Sequence, residues 1–445
     1  MKMLRIICAA VLLAFVPELS YAQFAIVSAP AGAVVPYVSP GKGFPRLQAA
    51  LQNPAGQYIA CFGESTPDGF LSLFGANDGR SASLCHQIAA QFRQMGYNIR
   101  SNSMVGNGNA GTNVQSKNFD TRINAGTWVS GTDGLGSAPC VSAIGAGFNA
   151  GPGGCYWQSV DNVSAFTFTP ADTATSYPSN ITYPTDTLEV WTLNVAFGVS
   201  GVLTINNGGA SCGTINSASL AAGGFTWTKS IITCSGTGTV WSITSTSGSN
   251  FFNILNAKNS AIPEVSMLNM SSAGAVNNYW LQVATQGGTI ISMIASLNPV
   301  AAIYQDLGNY ISAGTSLANI TSQTESIMTA LQGTADFMLI LSNPQQPANT
   351  VTGGSSPYDY QETYVTAQIA AANANNSAYF NWWKYLCGTA TGHLTATKDC
   401  WQAGMGQGTN GVFGGTADPD HQSGIAYGWE AMMVTLAIRP PAVLQ

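Results

Sequence analysis

Three residues of this chain have the types that acyl transfer needs: a serine in a turn, a histidine, and an aspartate three positions before that histidine. Ser65 stands in Phe62-Gly63-Glu64-Ser65-Thr66, directly after a short apolar run, while Asp418 and His421 stand in Asp418-Pro419-Asp420-His421-Gln422-Ser423 near the other end of the chain. A serine hydroxyl is a weak nucleophile at neutral pH, so it attacks a carbonyl only when a neighbouring base takes its proton. Imidazole is such a base, and a carboxylate on its other nitrogen fixes the tautomer and stabilises the imidazolium that forms. The spacing of Asp418 and His421 lets the carboxylate hold one ring nitrogen while the other faces the serine. Asp420 has a simpler reading, as an acceptor for backbone N–H groups at the start of the following helix. The chain has only three histidines. His86 and His393 have no carboxylate at a useful spacing and are assigned surface or structural places.

Elements that would position these residues are visible on either side of them. The apolar run 58–62 ends at Gly63, and Leu84, Ile88, Phe92 and Met95 then recur on one helical face that closes at Gly96, so this part reads strand, loop, helix. The alternation resumes with a strand at 300–304, a helix carrying Ile320, Ile327 and Leu331, and a strand at 337–341. Near-continuous apolar strands alternating with helices predict a parallel sheet covered on both faces. Between the two blocks the character changes. Short β-prone runs at 164–168, 187–193, 201–205, 226–232 and 240–244 are separated by Gly, Asn and Ser, which predicts an antiparallel sandwich. The expected organisation is a cleavable export signal over 1–22, an α/β domain in two parts (23–100 and 263–445), and a Gly/Asn-rich β insertion over 101–262.

Met1-Lys2-Met3-Leu4-Arg5, an apolar stretch over 6–16 and Ser20-Tyr21-Ala22 have the layout of that signal, with cleavage expected after Ala22 and a secreted or periplasmic destination. No later stretch approaches the roughly 20 apolar residues of a membrane span. Without Cys8, eight cysteines remain. Neighbour pairing of Cys61 with Cys85, Cys140 with Cys155, Cys212 with Cys234 and Cys387 with Cys400 is the simplest of about 105 connectivities. Charged residues are 8% of the chain and the formal net charge is −6, so there is no basic patch for nucleic acid. With 45% hydrophobic residues the chain can bury a large core. No C-x-x-C occurs, and neither a metal nor an organic cofactor is expected.

Gly63-Glu64-Ser65-Thr66 after the first long strand resembles the first block, Gly-Asp-Ser, of the SGNH (GDSL-like) hydrolases, with Glu64 replacing the usual aspartate. Asp418-x-x-His421 followed by Ser423 and Gly424-x-x-Tyr427 is similar to the final block. The resemblance implies a three-layer α/β/α domain around a parallel sheet, here with the β sandwich inserted, and a serine esterase with Ser65, His421 and Asp418 as its triad. It also implies oxyanion donors: the Ser65 N–H, the Gly274 N–H after Val265-Ser266-Met267-Leu268-Asn269, and the Asn309 side chain in Leu307-Gly308-Asn309-Tyr310. Gly106 is an alternative to Gly274, and Leu307 and Tyr310 depart from the family's Gly-x-Asn-Asp. The expected substrate is a small ester or an O-acylated carbohydrate, because some esterases of this type carry β modules. Trp157, Trp191, Trp227 and Trp241 would then either stack on sugar or fill the sandwich core. Two other readings use the same scaffold: a non-catalytic polysaccharide- or partner-binding protein, and an acyltransferase with the same triad.

Overall fold

The computed structural model describes residues 37–64, 83–102, 120, 122–130, 157–159, 161–173, 180–194, 201–217, 226–248, 250–271, 275–285, 288–305, 315–341, 361–387 and 424–440. Residues 1–22, expected to be an export signal, and His393, Cys140, Cys155 and Cys400 lie outside these residues.

A seven-stranded sheet organises the α/β unit. Its strands are β1 (Val38–Ser39), β2 (Tyr58–Gly63), β3 (Ile99–Arg100), β4 (Val265–Asn269), β5 (Ala301–Gln305), β6 (Asp336–Leu341) and β7 (Ala378–Asn381), in the order β1-β7-β6-β5-β2-β4-β3. Every pairing is parallel except β1 with β7. That short antiparallel edge strand is not signalled in the sequence.

Alternate residues of β2 point into different cores. Ile59 and Cys61 join α1 (Pro45–Gln52), α2 (Leu84–Gln94) and α6 (Gly424–Ile438) through Leu47, Ile88, Phe92 and Val434. Ala60 and Phe62 join α3 (Ile290–Ser296), α4 (Leu317–Gln332) and α5 (Gln361–Ala374) through Ile294, Ile327 and Ala372. Both faces of the sheet are therefore dry, which is why its strands are continuously apolar. The architecture is the SGNH-like three-layer fold. Gly96 ends the α2 turn with φ +88°, a left-handed conformation that glycine adopts at no steric cost.

The chain between β3 and β4 builds two five-stranded antiparallel sheets. One runs Thr226–Gly238, Thr185–Asn194, Phe251–Lys258, Trp157–Gln158, Val129–Ser130; the other runs Ala210–Asn216, Val202–Asn207, Trp241–Ser247, Ala165–Phe168, Ile123–Asn124. Leu188, Val190, Phe252 and Ile254 face Phe166, Leu203, Ile205, Trp241 and Ile243 across the sandwich. The Cys212–Cys234 disulfide ties the two sheets together at their outer strands.

The first of these sheets is buried on its other face as well. Trp191, Leu193, Trp227 and Leu255 belong to the same hydrophobic cluster as Phe62, Trp280 and Tyr304 of the α/β unit. Polar bonds reinforce this seam. The Tyr58 hydroxyl donates to the Glu189 carboxylate at 2.7 Å, Lys258 pairs with Glu189 at 2.8 Å, and Asn256 Nδ2 donates to Ser266 Oγ at 2.8 Å. All four tryptophans named above are at most 6% exposed, so the sugar-stacking alternative is overturned and the core reading holds.

Candidate functional site

Chain order reverses direction at β2, since β4 lies on one side of it and β5 on the other. Outside the carboxyl ends of strands at such a switch point, helices leave to opposite faces and a crevice forms. The described residues gathered there are polar and buried. Glu64 follows β2 and is 1% exposed, with its N–H donating to Gln305 O at 3.2 Å. Gln305 ends β5, and its Nε2 donates to Glu430 Oε1 on α6 at 2.7 Å. Asn269 ends β4 and turns the chain by accepting from Ser271 N at 3.1 Å.

Ser83 and His86 complete this edge from the start of α2. Ser83 caps the helix, its oxygen accepting from His86 N at 3.4 Å, and also lies 2.7 Å from His86 Nδ1. Asn269 Nδ2 lies 3.4 Å from Ser83 Oγ and 3.5 Å from His86 Nδ1. The amide nitrogen only donates, so Asn269 gives its protons to this pair while the Ser83 hydroxyl and His86 Nδ1 share a hydrogen bond. A hydroxyl donating to imidazole is half of a nucleophile–base pair. Ser83 is nevertheless fully buried and its oxygen is engaged by the cap and by Asn269, so the trio holds α2 against β4. The Cys61–Cys85 disulfide fastens the same helix end to β2.

Ser65, Asp418, His421, Gly274, Asn309 and the alternative Gly106 lie outside the described residues. What the structure describes are residues that precede or follow them in the chain: Glu64 before Ser65, Asn269 before Gly274, Gln305 before Asn309, and Gly424, which opens α6, after His421. Sequence reasoning assigned His86 to a surface or structural place; the structure puts it in the interior, as a bonded structural residue. The Ser83/His86 spacing of three, the same used for Asp418/His421, was a signal for that pair. Nothing local signals Gln305–Glu430, a contact across 125 positions.

Strong electrostatics lie at the seam. Asp172, fully buried, accepts from Arg100 Nη1 at 2.8 Å and Ser101 N at 2.6 Å, and pairs with Arg93 at 3.4 Å. Burial pushes the Glu264 carboxyl up to about 8, opposed by Arg100 at 3.8 Å and assisted by Asp172. Burial, then the Glu189 charge, likewise raise the Tyr58 phenol. A separate cleft at the amino ends of β6 and β7, lined by Lys42, Arg46, Asp336 and Ser377, lies at the opposite edge of the sheet from Glu64 and Gln305. Asp336 there accepts from the Arg46 and Leu47 N–H groups at the start of α1, a capping role. Among the described residues no group of three or more His, Cys, Asp or Glu side chains could hold a metal ion, and no helix is long and apolar enough to cross a membrane.

A parallel α/β/α sheet with polar groups at the carboxyl edge of its switch point defines a class, the SGNH-like fold with a built-in β sandwich. Among solved structures the chain is similar over 90% of its length to a peptidoglycan O-acetylesterase, covering 97% of that chain at a TM-score of 0.58 and 15% identity. Looser likenesses are to a salicylyl-acyltransferase from a tetracycline biosynthetic pathway (TM-score 0.27, 11% identity, 65% and 84% coverage) and to a family two carbohydrate esterase from Clostridium thermocellum (TM-score 0.23, 10% identity, 63% and 92% coverage). The sequence matches no protein-family model and no curated protein.

Proposed function

We propose that the chain is an exported serine esterase that hydrolyses O-acyl, and in particular O-acetyl, esters of carbohydrate. One observation carries the reading. Glu64, the residue before Ser65, is buried at the carboxyl end of the switch-point strand and bonded to Gln305, whose side chain reaches the helix that follows Asp418 and His421. The acetylated-glycan substrate rests on the likeness to the peptidoglycan O-acetylesterase, and export on the signal-like residues 1–22. The α/β domain is assigned 23–100 and 263–445, with 101–262 as its insertion.

In this reading His421, oriented by Asp418, takes the Ser65 proton as its oxygen attacks the ester carbonyl. The Ser65 and Gly274 N–H groups and the Asn309 amide hold the oxyanion, each worth about 3 kcal/mol of the barrier. Collapse breaks the bond to the sugar oxygen, which takes the proton from His421 and leaves as a hydroxyl. Water then repeats the sequence on the acyl-serine and releases the acid. The test is p-nitrophenyl acetate hydrolysis by the mature protein beside Ser65→Ala, followed by acetate release from acetylated peptidoglycan. Loss of at least about 1000-fold in the variant is expected. Equal rates refute the esterase, and cleavage of lipid-like esters alone refutes the substrate.

A further inference from the structure

Three described stretches meet at the carboxyl ends of β2 and β5, and each leads into a segment carrying a residue of the proposed site. Glu64 precedes Ser65, Gln305 leads toward Asn309, and Glu430 lies on α6, which opens at Gly424. The Glu64 N–H bond to Gln305 O extends the β2–β5 ladder by one residue, and the Gln305 side chain carries the connection to Glu430. Gln305 and Glu430 are both completely buried.

A buried carboxylate is costly, and replacing such groups by apolar side chains of similar size is often neutral or stabilising. Its α6 neighbours Ala431 and Val434 belong to the apolar cluster that also holds Ile88 and Phe92 of α2. What a directional 2.7 Å bond adds is geometry. It fixes both the rotation of α6 and the end of β5, six residues beyond Gly424, or about 9 Å along the helix.

We infer that Glu430 is a positioning residue: through Gln305 it sets the head of α6 against the ends of β2 and β5, and so sets the approach of the His421 imidazole to the Ser65 hydroxyl. The inference rests on the esterase reading. Because a misplacement of about 1 Å can cost about 100-fold, Glu430→Ala should lower kcat by about 10- to 100-fold with KM within about twofold. Glu430→Gln, which keeps an acceptor for Gln305 Nε2, should recover most of that loss.

Turnover of Glu430→Ala within twofold of wild type, or a loss that Glu430→Gln does not recover, overturns the inference. Should Glu430→Ala fail to fold, Gln305→Asn, one methylene too short for the bond, carries the same test, and unchanged kcat there overturns it. If Ser65→Ala keeps the wild-type rate, the esterase reading is what fails. The positioning role is then decided by amide exchange at Glu64 and across 424–430, expected to accelerate in Glu430→Ala and to return in Glu430→Gln; unchanged exchange overturns it.

Discussion

Replacing Asp172 by alanine removes the acceptor on which the seam between the two units converges. Its carboxylate pairs with Arg100 and Arg93 and accepts from the Ser101 N–H, while remaining fully buried itself. Breaking a buried ion pair from one side costs about 3–5 kcal/mol, because the partner charge stays behind. The two arginine side chains keep 14% and 24% exposure, so water recovers part of that and the lower end applies. Leaving the Ser101 N–H buried without its acceptor adds about 1–3 kcal/mol. The expected destabilisation is about 4 kcal/mol, a large share of the roughly 5–15 kcal/mol that holds a domain together. Asp172→Asn keeps an acceptor for the Ser101 N–H and should lose about 1 kcal/mol less. Urea unfolding followed by tryptophan fluorescence reads this directly, since Trp191 and Trp227 lie in the shared core. A change below about 1 kcal/mol in Asp172→Ala would refute the claim that this carboxylate holds the seam.

Two further measurements address the same region and the site. The Glu264 carboxyl sits at about 8 in the folded protein against an ordinary 4.5, so between those values the folded state keeps a proton that the unfolded chain has lost. Stability therefore falls as pH rises from about 4.5 to 8, by on the order of 1 kcal/mol per unit; Glu264→Gln should flatten urea midpoints across that window, and an unchanged slope refutes the assignment. Removing the Cys61–Cys85 bridge, which closes a 24-residue separation, by the double alanine substitution should cost about 3 kcal/mol and lower esterase turnover. A variant with the wild-type melting temperature would show that the bridge does not constrain β2 and α2.

Much of the α/β unit was legible because its signals are local. The run 58–62 and the Leu84/Ile88/Phe92 face specify strand and helix without knowledge of the rest. The seam was not read, although one strand carried the information. In 188–193, Leu188 and Val190 occupy one face while Trp191 and Leu193 occupy the other, and both faces are apolar. Glu189 disguised the second face as solvent-exposed. In the structure it is buried, with Tyr58 and Lys258 supplying the partners that make its burial tolerable. Glu430 was illegible as a site-building residue for a related reason. Its partner Gln305 lies 125 positions away, and no periodicity links such pairs.

Burial of the tryptophans changes where substrate contacts must come from. The sheet that carries Trp191 and Trp227 is closed by the α/β unit, so in the proposed esterase these two side chains make no substrate contact. The insertion leaves from β3 and returns into β4, and these two strands pair with each other, Ile99 opposite Val265 and Arg100 opposite Ser266. Arg100 and Glu264 at the base of the insertion thus sit one strand length from Asn269, which holds Ser83 and His86 at the head of α2. The strand Val265–Asn269 therefore carries both contacts, the insertion's cluster at its start and the head of α2 at its end.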